Sequence, residues 1–146
     1  MKICLVCSHG GHLTEMIQLE SAFKGHETVY LTYKSERTSK LHRAYLIDNF
    51  AEKPFSIFSS IIKMISMIRR ERPKVIISTG AEIAIPAFLL AKLFGIRTIF
   101  IESCARVNSP SGTGRSIYPI SSYFFVQWES LLPKYGRRGK YAGGLL

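Results

Sequence analysis

Five short apolar runs punctuate the chain, at 2–7 (KICLVC), 28–33 (TVYLTY), 74–79 (KVIIST), 97–101 (RTIFI) and 123–127 (YFFVQ). Each is β-branched or aromatic and nearly continuous rather than alternating. Successive side chains of a strand face opposite sides, so continuity predicts strands covered on both faces, as in a parallel sheet. Residues 44–50 (AYLIDNF) give a weaker sixth signal. Helical patterns lie between the runs. One covers 13–24, after a Gly-Gly turn. A second covers 55–71, opening after Pro54 and closing ahead of Arg72-Pro73, since the residue before a proline is turned away from helix. A third, 83–94 (IAIPAFLLAKLF), is apolar nearly all round, which predicts a buried helix with Gly95 as its C′ residue. Strands alternating with helices give an α/β fold, a Rossmann-like doubly wound parallel sheet, with 1–146 as a single domain. Ligands on such sheets sit at the carboxyl ends of the strands, so the loops of interest are 8–12, 78–82, 102–115 and 127–130.

The first of these loops is Ser8-His9-Gly10-Gly11-His12, running into Leu13-Thr14-Glu15. Two glycines at a helix start let backbone N–H groups face a phosphate or a sugar hydroxyl. The spacing is not that of the dinucleotide fingerprint. His12 and Glu15, three apart, share one face of the first helical turn, and a histidine there suits general-base work or a hydrogen bond to a diphosphate. Ser78-Thr79-Gly80-Ala81-Glu82 is a second glycine turn, whose hydroxyls either cap the next helix or bind a ligand. Glu102 ends a strand and Arg106 follows, as partner to that carboxylate or to a phosphate. The small-residue run Ser109-Pro110-Ser111-Gly112-Thr113-Gly114-Arg115 fits an anion nest, and fits a surface turn equally well. Cys4 and Cys7, three apart on a strand, face opposite sides and so fit neither one metal nor a redox pair.

The chain carries 20 Lys and Arg against 10 Asp and Glu, a formal charge of +10, which points to an anionic partner. No leader or anchor segment is expected. The longest apolar stretch, Phe55 to Ile68, contains Lys63 and four serines and is shorter than the ~20 residues of a spanning helix. Its polar positions form a narrow stripe, and it ends in Arg69 and Arg70. That pattern suits an in-plane membrane helix led by Phe55 and Phe58, or a core helix whose exposed end and arginines meet a membrane or partner. Three scattered cysteines suit a reducing compartment.

Five motifs in order resemble one family: SHGGHLTEM (8–16), IISTGA (76–81), TIFIESCARV (98–107), PSGTGR (110–115) and FVQW (125–128). The chain is similar to the Alg-fourteen family, which includes the bacterial polysaccharide-synthesis proteins PssD, CpsF and EpsE. The resemblance implies the N-terminal, acceptor-side half of a GT-B glycosyltransferase. It implies a peripheral place at the cytoplasmic face of an anionic membrane, and a second chain that carries the nucleotide-sugar site. The transferred sugar would be N-acetylglucosamine, glucose or galactose, passed from a UDP-sugar to a lipid-diphosphate-linked sugar with inversion. The donor would arrive through the partner, with no metal or tightly bound cofactor. His12, oriented by Glu15 or Glu102, would help deprotonate the acceptor hydroxyl. Ser8, Gly10, Gly11, Thr79, Gly80, Asn108 and the 109–115 loop, through Ser111, Gly112, Thr113 and Gly114, would cradle the diphosphate, with Arg106 compensating charge. By the same likeness Gln127, Trp128, Tyr141 and the segment 135–146 would meet the partner. Two other classes compete: a self-sufficient nucleotide-binding transferase or hydrolase, and a basic nucleic-acid-binding module. Neither a Walker motif nor a nucleophile elbow nor a basic recognition helix is present to support them.

Overall fold

The computed structural model describes residues 1–145. Seven strands form one sheet: β1 (Lys2–Val6), β2 (Glu27–Tyr33), β3 (Ala44–Ile47), β4 (Val75–Ser78), β5 (Arg97–Ile101), β6 (Tyr123–Val126) and β7 (Gly139–Tyr141). Their order is β3-β2-β1-β4-β5-β6-β7, and every neighbouring pair is parallel. The five continuous runs are strands, and the weak signal at 44–50 is the edge strand β3. β7 was not expected; its three residues carry no apolar run.

Five α-helices connect them: α1 (Gly11–Gln18), α2 (Ser56–Glu71), α3 (Ala84–Leu93), α4 (Gly112–Ile117) and α5 (Leu132–Tyr135). The helix expected over 13–24 is α1 followed by a 3-10 turn at Glu20–Phe23. One sheet face is covered by α2, α3 and α4, with Met64, Met67, Ala87, Phe88 and Ile117 packed on Val6, Ile76, Phe100 and Phe124. On the other face α1 sets Leu13 and Met16 against Ile3, Leu5, Cys7 and Ile77. Cys4 lies in the first layer and Cys7 in the second, the opposed placement that strand geometry requires. Burial pushes the Cys7 thiol up to about 12.

Gly95 ends α3 in the left-handed conformation at φ +67, the expected C′ position. The reading of 83–94 as a buried helix needs correction. Ala84, Ala87, Phe88, Leu90 and Ala91 are buried, but Leu89, Leu93 and Phe94 are exposed. An apolar surface all round shows only that water is disfavoured, not what covers each side.

At the amino edge of the sheet, Glu71 at the end of α2 is buried and gathers three donors. Lys2 reaches Oε2 at 2.7 Å, Arg43 reaches it at 3.0 Å, and the Tyr45 hydroxyl donates to Oε1 at 2.8 Å. The Lys2 ammonium, then Tyr45 and Arg43, hold its carboxyl below the ordinary value of 4.5. A depressed carboxyl stabilises the fold fully above 4.5, and the contribution is lost as pH falls through the lower folded value. The part of the stability that this carboxylate supplies should therefore be constant above 4.5 and decline below it. Glu71→Gln should remove the part of the acid-side slope that this carboxylate supplies. Removing the acceptor in Glu71→Ala should cost about 2 kcal/mol, less than for a fully buried pair because Lys2 and Arg43 keep contact with water. Denaturant titration at neutral pH checks it.

Candidate functional site

β1 connects to β2 on one side and β4 to β5 on the other, so the sheet reverses winding between β1 and β4 and a crevice opens at their carboxyl ends. The turns after these two strands meet there. The Thr79 hydroxyl donates to the His12 carbonyl at 2.7 Å. The His12 ring packs on the bare backbone of Gly80: a Cβ at that position would lie 2.6 Å from Cε1 and 2.8 Å from Nδ1. Gly80 has φ +129, a conformation that side chains rarely adopt. Thr79 and Gly80 thus position His12 rather than presenting themselves to a ligand.

Ala81 follows at φ +70, left-handed and outside glycine's exemption. Such a residue costs about 1 kcal/mol, so Ala81→Gly should raise the denaturant midpoint by the equivalent of about 0.5–1 kcal/mol. Gly10 and Gly11 behave differently. Gly10 has φ −94, and a Cβ on either glycine would meet nothing within 4 Å. No neighbour excludes a side chain there; as glycines they leave the mouth of the crevice open. Ser8 is half-buried at its base.

The expectation that Glu15 or Glu102 orients His12 is corrected. Neither carboxylate bonds to the ring. Glu15 is buried beneath α1 and accepts from the Ser103 hydroxyl at 2.9 Å, the Cys104 thiol at 3.2 Å and the Gln127 amide at 3.0 Å. Although His12 and Glu15 share a helical face, the ring turns to β4 and the carboxylate to β5. Glu102 is buried as well. Its Oε1 accepts from Ser103 N–H at 3.0 Å, and its Oε2 accepts from Ser111 N–H and Oγ, both at 3.0 Å, and from the Tyr135 hydroxyl. Burial, and then Glu102, push the Tyr135 hydroxyl up.

The anion nest expected over 109–115 is corrected too. Ser111 caps α4, accepting from Gly114 N–H at 2.8 Å, and Glu102 stands at that helix start. The negative charge favoured there is supplied by the protein itself. Gly112 is exposed and Thr113 half-buried on α4, while Arg106 and Asn108 are exposed in the loop before it. Arg106 makes no salt bridge among the described residues, so no Glu102–Arg106 pair forms.

Of the three residues expected to meet a partner, Trp128 and Tyr141 are exposed, whereas Gln127 is buried. Its amide bridges Glu15 and the Glu102 carbonyl, and its oxygen accepts from Leu145 N–H at 2.8 Å. Tyr135 is likewise buried, so the segment 135–146 is not wholly a surface; Leu146 lies outside the described residues. The Trp128 indole donates to the Cys104 carbonyl at 2.7 Å, tying the β6 loop to the β5 loop.

The sequence reading passed over a second polar group at the same edge. His9 stands edge-on to Tyr33 with ring centroids 6.3 Å apart, and Tyr33 donates to Glu82 at 2.8 Å. The Nδ1 atoms of His9 and His12 are both buried without a hydrogen-bond partner. The signal was present: His9 shares the glycine turn with His12, and Tyr33 and Glu82 lie at or just past strand ends.

The family described as "Oligosaccharide biosynthesis protein Alg14 like" matches residues 34–145. The UDP-N-acetylglucosamine transferase subunit ALG14 of Candida albicans is 41% identical over 90 residues, 58% of this chain and 41% of that protein. The subunit of the same name from Saccharomyces cerevisiae is 26% identical over 100% of this chain and 77% of its own length. Among solved structures, Acinetobacter baumannii MurG superposes with a TM-score of 0.79 at 15% identity, over 99% of this chain and 46% of MurG. That likeness identifies the sheet as one half of a GT-B fold. The chain spans about half the length of most of the curated relatives it matches. The match over residues 34–145, on a GT-B-type sheet with these turns at its switch point, means that the chain belongs to the Alg14 family.

Proposed function

We propose that the chain is the acceptor-side subunit of a two-chain glycosyltransferase, moving a sugar from a UDP-sugar to a lipid-diphosphate-linked sugar. A second chain supplies the nucleotide-sugar site. The reading is carried by one observation: a switch-point crevice, open above Gly10 and Gly11 and edged by His12, on a sheet that matches half of a two-domain enzyme. Relatives named as transferase subunits support it.

His12 acts in this reading as a hydrogen-bond donor rather than a base. Its Nδ1 is buried without a partner, and a buried orphan N–H is disfavoured more than an unshared lone pair. The proton then sits on Nε2, where it is free to be donated to an acceptor oxygen. A general base would need the opposite tautomer, held by a carboxylate on Nδ1, and none is bonded there. His12→Ala should lower transfer by the reconstituted pair about 10- to 150-fold, the value of one hydrogen bond to a charged oxygen. His12→Gln, which restores an N–H near Nε2, should recover to within about tenfold of the parent. Equal loss in both variants would return His12 to the role of base. Equilibrium binding to the isolated chain supplies the second test. A short-chain lipid-diphosphate sugar should bind and a UDP-sugar should not; the reverse preference would place the donor site here.

A further inference from the structure

We infer that His9 and Arg37, on the β2 side of the crevice, form a second phosphate position opposite His12, so that one diphosphate is held across the start of α1. The inference deepens the acceptor reading and rests on it for the source of the diphosphate. The chemistry of the position itself can be tested on the isolated chain.

β1 lies between β2 and β4 in the sheet. Its carboxyl end leads into a turn with a histidine on each side of Gly10-Gly11. His12 turns to the β4 side, onto Gly80. His9 turns to the β2 side, edge-on to Tyr33 with an interplanar angle of 66°. Strands two places apart stand about 10 Å from each other, so the rings lean to opposite sides of the mouth. Tyr33 is 1% exposed and is fixed by its bond to Glu82, which makes its ring a rigid wall for His9. The His9 Nδ1 is buried without a partner, like that of His12. The His9 proton therefore also sits on Nε2, the ring nitrogen left open to water. Each side of the turn thus offers an N–H donor that the fold does not use.

Arg37 brings charge to the His9 side. The loop before it is held by Thr38, whose hydroxyl donates to the Tyr33 carbonyl at 2.7 Å and accepts from Ser35 N–H at 2.9 Å. Arg37 Nη2 then reaches α1 and donates to Thr14 Oγ1 at 3.1 Å. Burial raises the Cys7 thiol, and the Arg37 charge, after the Thr32 hydroxyl, opposes that rise, so its field reaches the end of β1. Arg37 joins no salt bridge among the described residues, whereas Lys34 is paired with Asp48 and Lys40 with Glu36. Below the opening, the N–H groups of Gly11 and His12 have no acceptor among the described residues, as at any helix start. Donors on both sides of a turn free of side chains, with a cation on one of them, match two linked phosphates better than one.

Titration calorimetry of the isolated chain with inorganic pyrophosphate and with orthophosphate tests this. Pyrophosphate should bind at one site, about tenfold tighter than orthophosphate, and weaken as salt rises. His9→Ala should weaken pyrophosphate about tenfold or more, the value of one hydrogen bond to a charged oxygen, and orthophosphate by less than about threefold. His9→Gln, which restores an N–H near Nε2, should recover most of that loss. Arg37→Gln should weaken pyrophosphate about fivefold, less than His9→Ala because the guanidinium is exposed and screened. Orthophosphate binding retained by each variant shows that the crevice is still formed. Equal affinity for the two anions overturns the inference. So does pyrophosphate affinity equal to the parent's in His9→Ala, or an equal loss of both anions in that variant. Displacement of bound pyrophosphate then tests the acceptor reading separately. A short-chain lipid-diphosphate sugar should displace it and UDP-N-acetylglucosamine should not. Displacement by the UDP-sugar alone would keep the diphosphate position and overturn the acceptor reading.

Discussion

Gly80→Ala should abolish the site and destabilise the fold together. The new Cβ would stand 2.6 Å from Cε1 of His12, closer than real Cβ contacts, on a backbone at φ +129. The strained conformation and the displaced ring should cost about 2–4 kcal/mol, lowering the melting temperature by roughly 5–15 °C. Below that temperature, where the variant is folded, transfer by the reconstituted pair should still match that of His12→Ala, because the ring can no longer lie on β4. Gly10→Ala is the control. Its Cβ enters open space and strikes no side chain, so stability should fall by less than in Gly80→Ala. Acceptor affinity should nonetheless fall, because the mouth of the crevice is narrowed. A Gly80→Ala protein with the parent's melting temperature and activity would mean that His12 does not pack there.

Glu102→Ala should be among the most destabilising polar substitutions in the site. It strips the acceptor from the buried Ser103 N–H and Tyr135 hydroxyl and from the half-buried Ser111 N–H and hydroxyl. Orphaned buried donors cost about 1–3 kcal/mol each when water cannot reach them, and partial relaxation should leave a net loss of about 3–5 kcal/mol. Trp128, the single tryptophan, reports on the same loops through its bond to the Cys104 carbonyl. Its emission should shift to the red well before global unfolding in this variant. Unchanged emission together with a loss below about 1 kcal/mol would show that the network is dispensable.

These effects separate what the sequence makes legible from what it does not. Continuous apolar runs report strands buried on both faces, and all five are strands. The glycine turns were legible as site elements because they fall at strand ends. Their division of labour is not: only the tertiary structure separates Gly80, where a Cβ would strike His12, from Gly10 and Gly11, where it would meet nothing. α4 was read as a loop because Gly112-Thr113-Gly114 has poor helix propensity; its cap on Ser111 and the carboxylate at its start come from tertiary structure. Glu15 bonds to Ser103 and Gln127, partners 88 and 112 residues away, which no local pattern encodes. Gln127, which the resemblance assigns to a partner surface, therefore lies beneath the site instead. The exposed side of α3 escaped notice for the opposite reason, since its residues look alike whichever side faces the core.

The central claim is that this half-sized GT-B chain works only with a second chain. Transfer of radiolabelled sugar from UDP-N-acetylglucosamine, UDP-glucose and UDP-galactose to a lipid-diphosphate sugar tests it most directly, with this chain alone, a candidate nucleotide-sugar-binding chain alone, and the two mixed. The account expects product only in the mixture, with one donor preferred. Product from this chain alone would contradict it, because a full reaction would then be running without the other half of the fold.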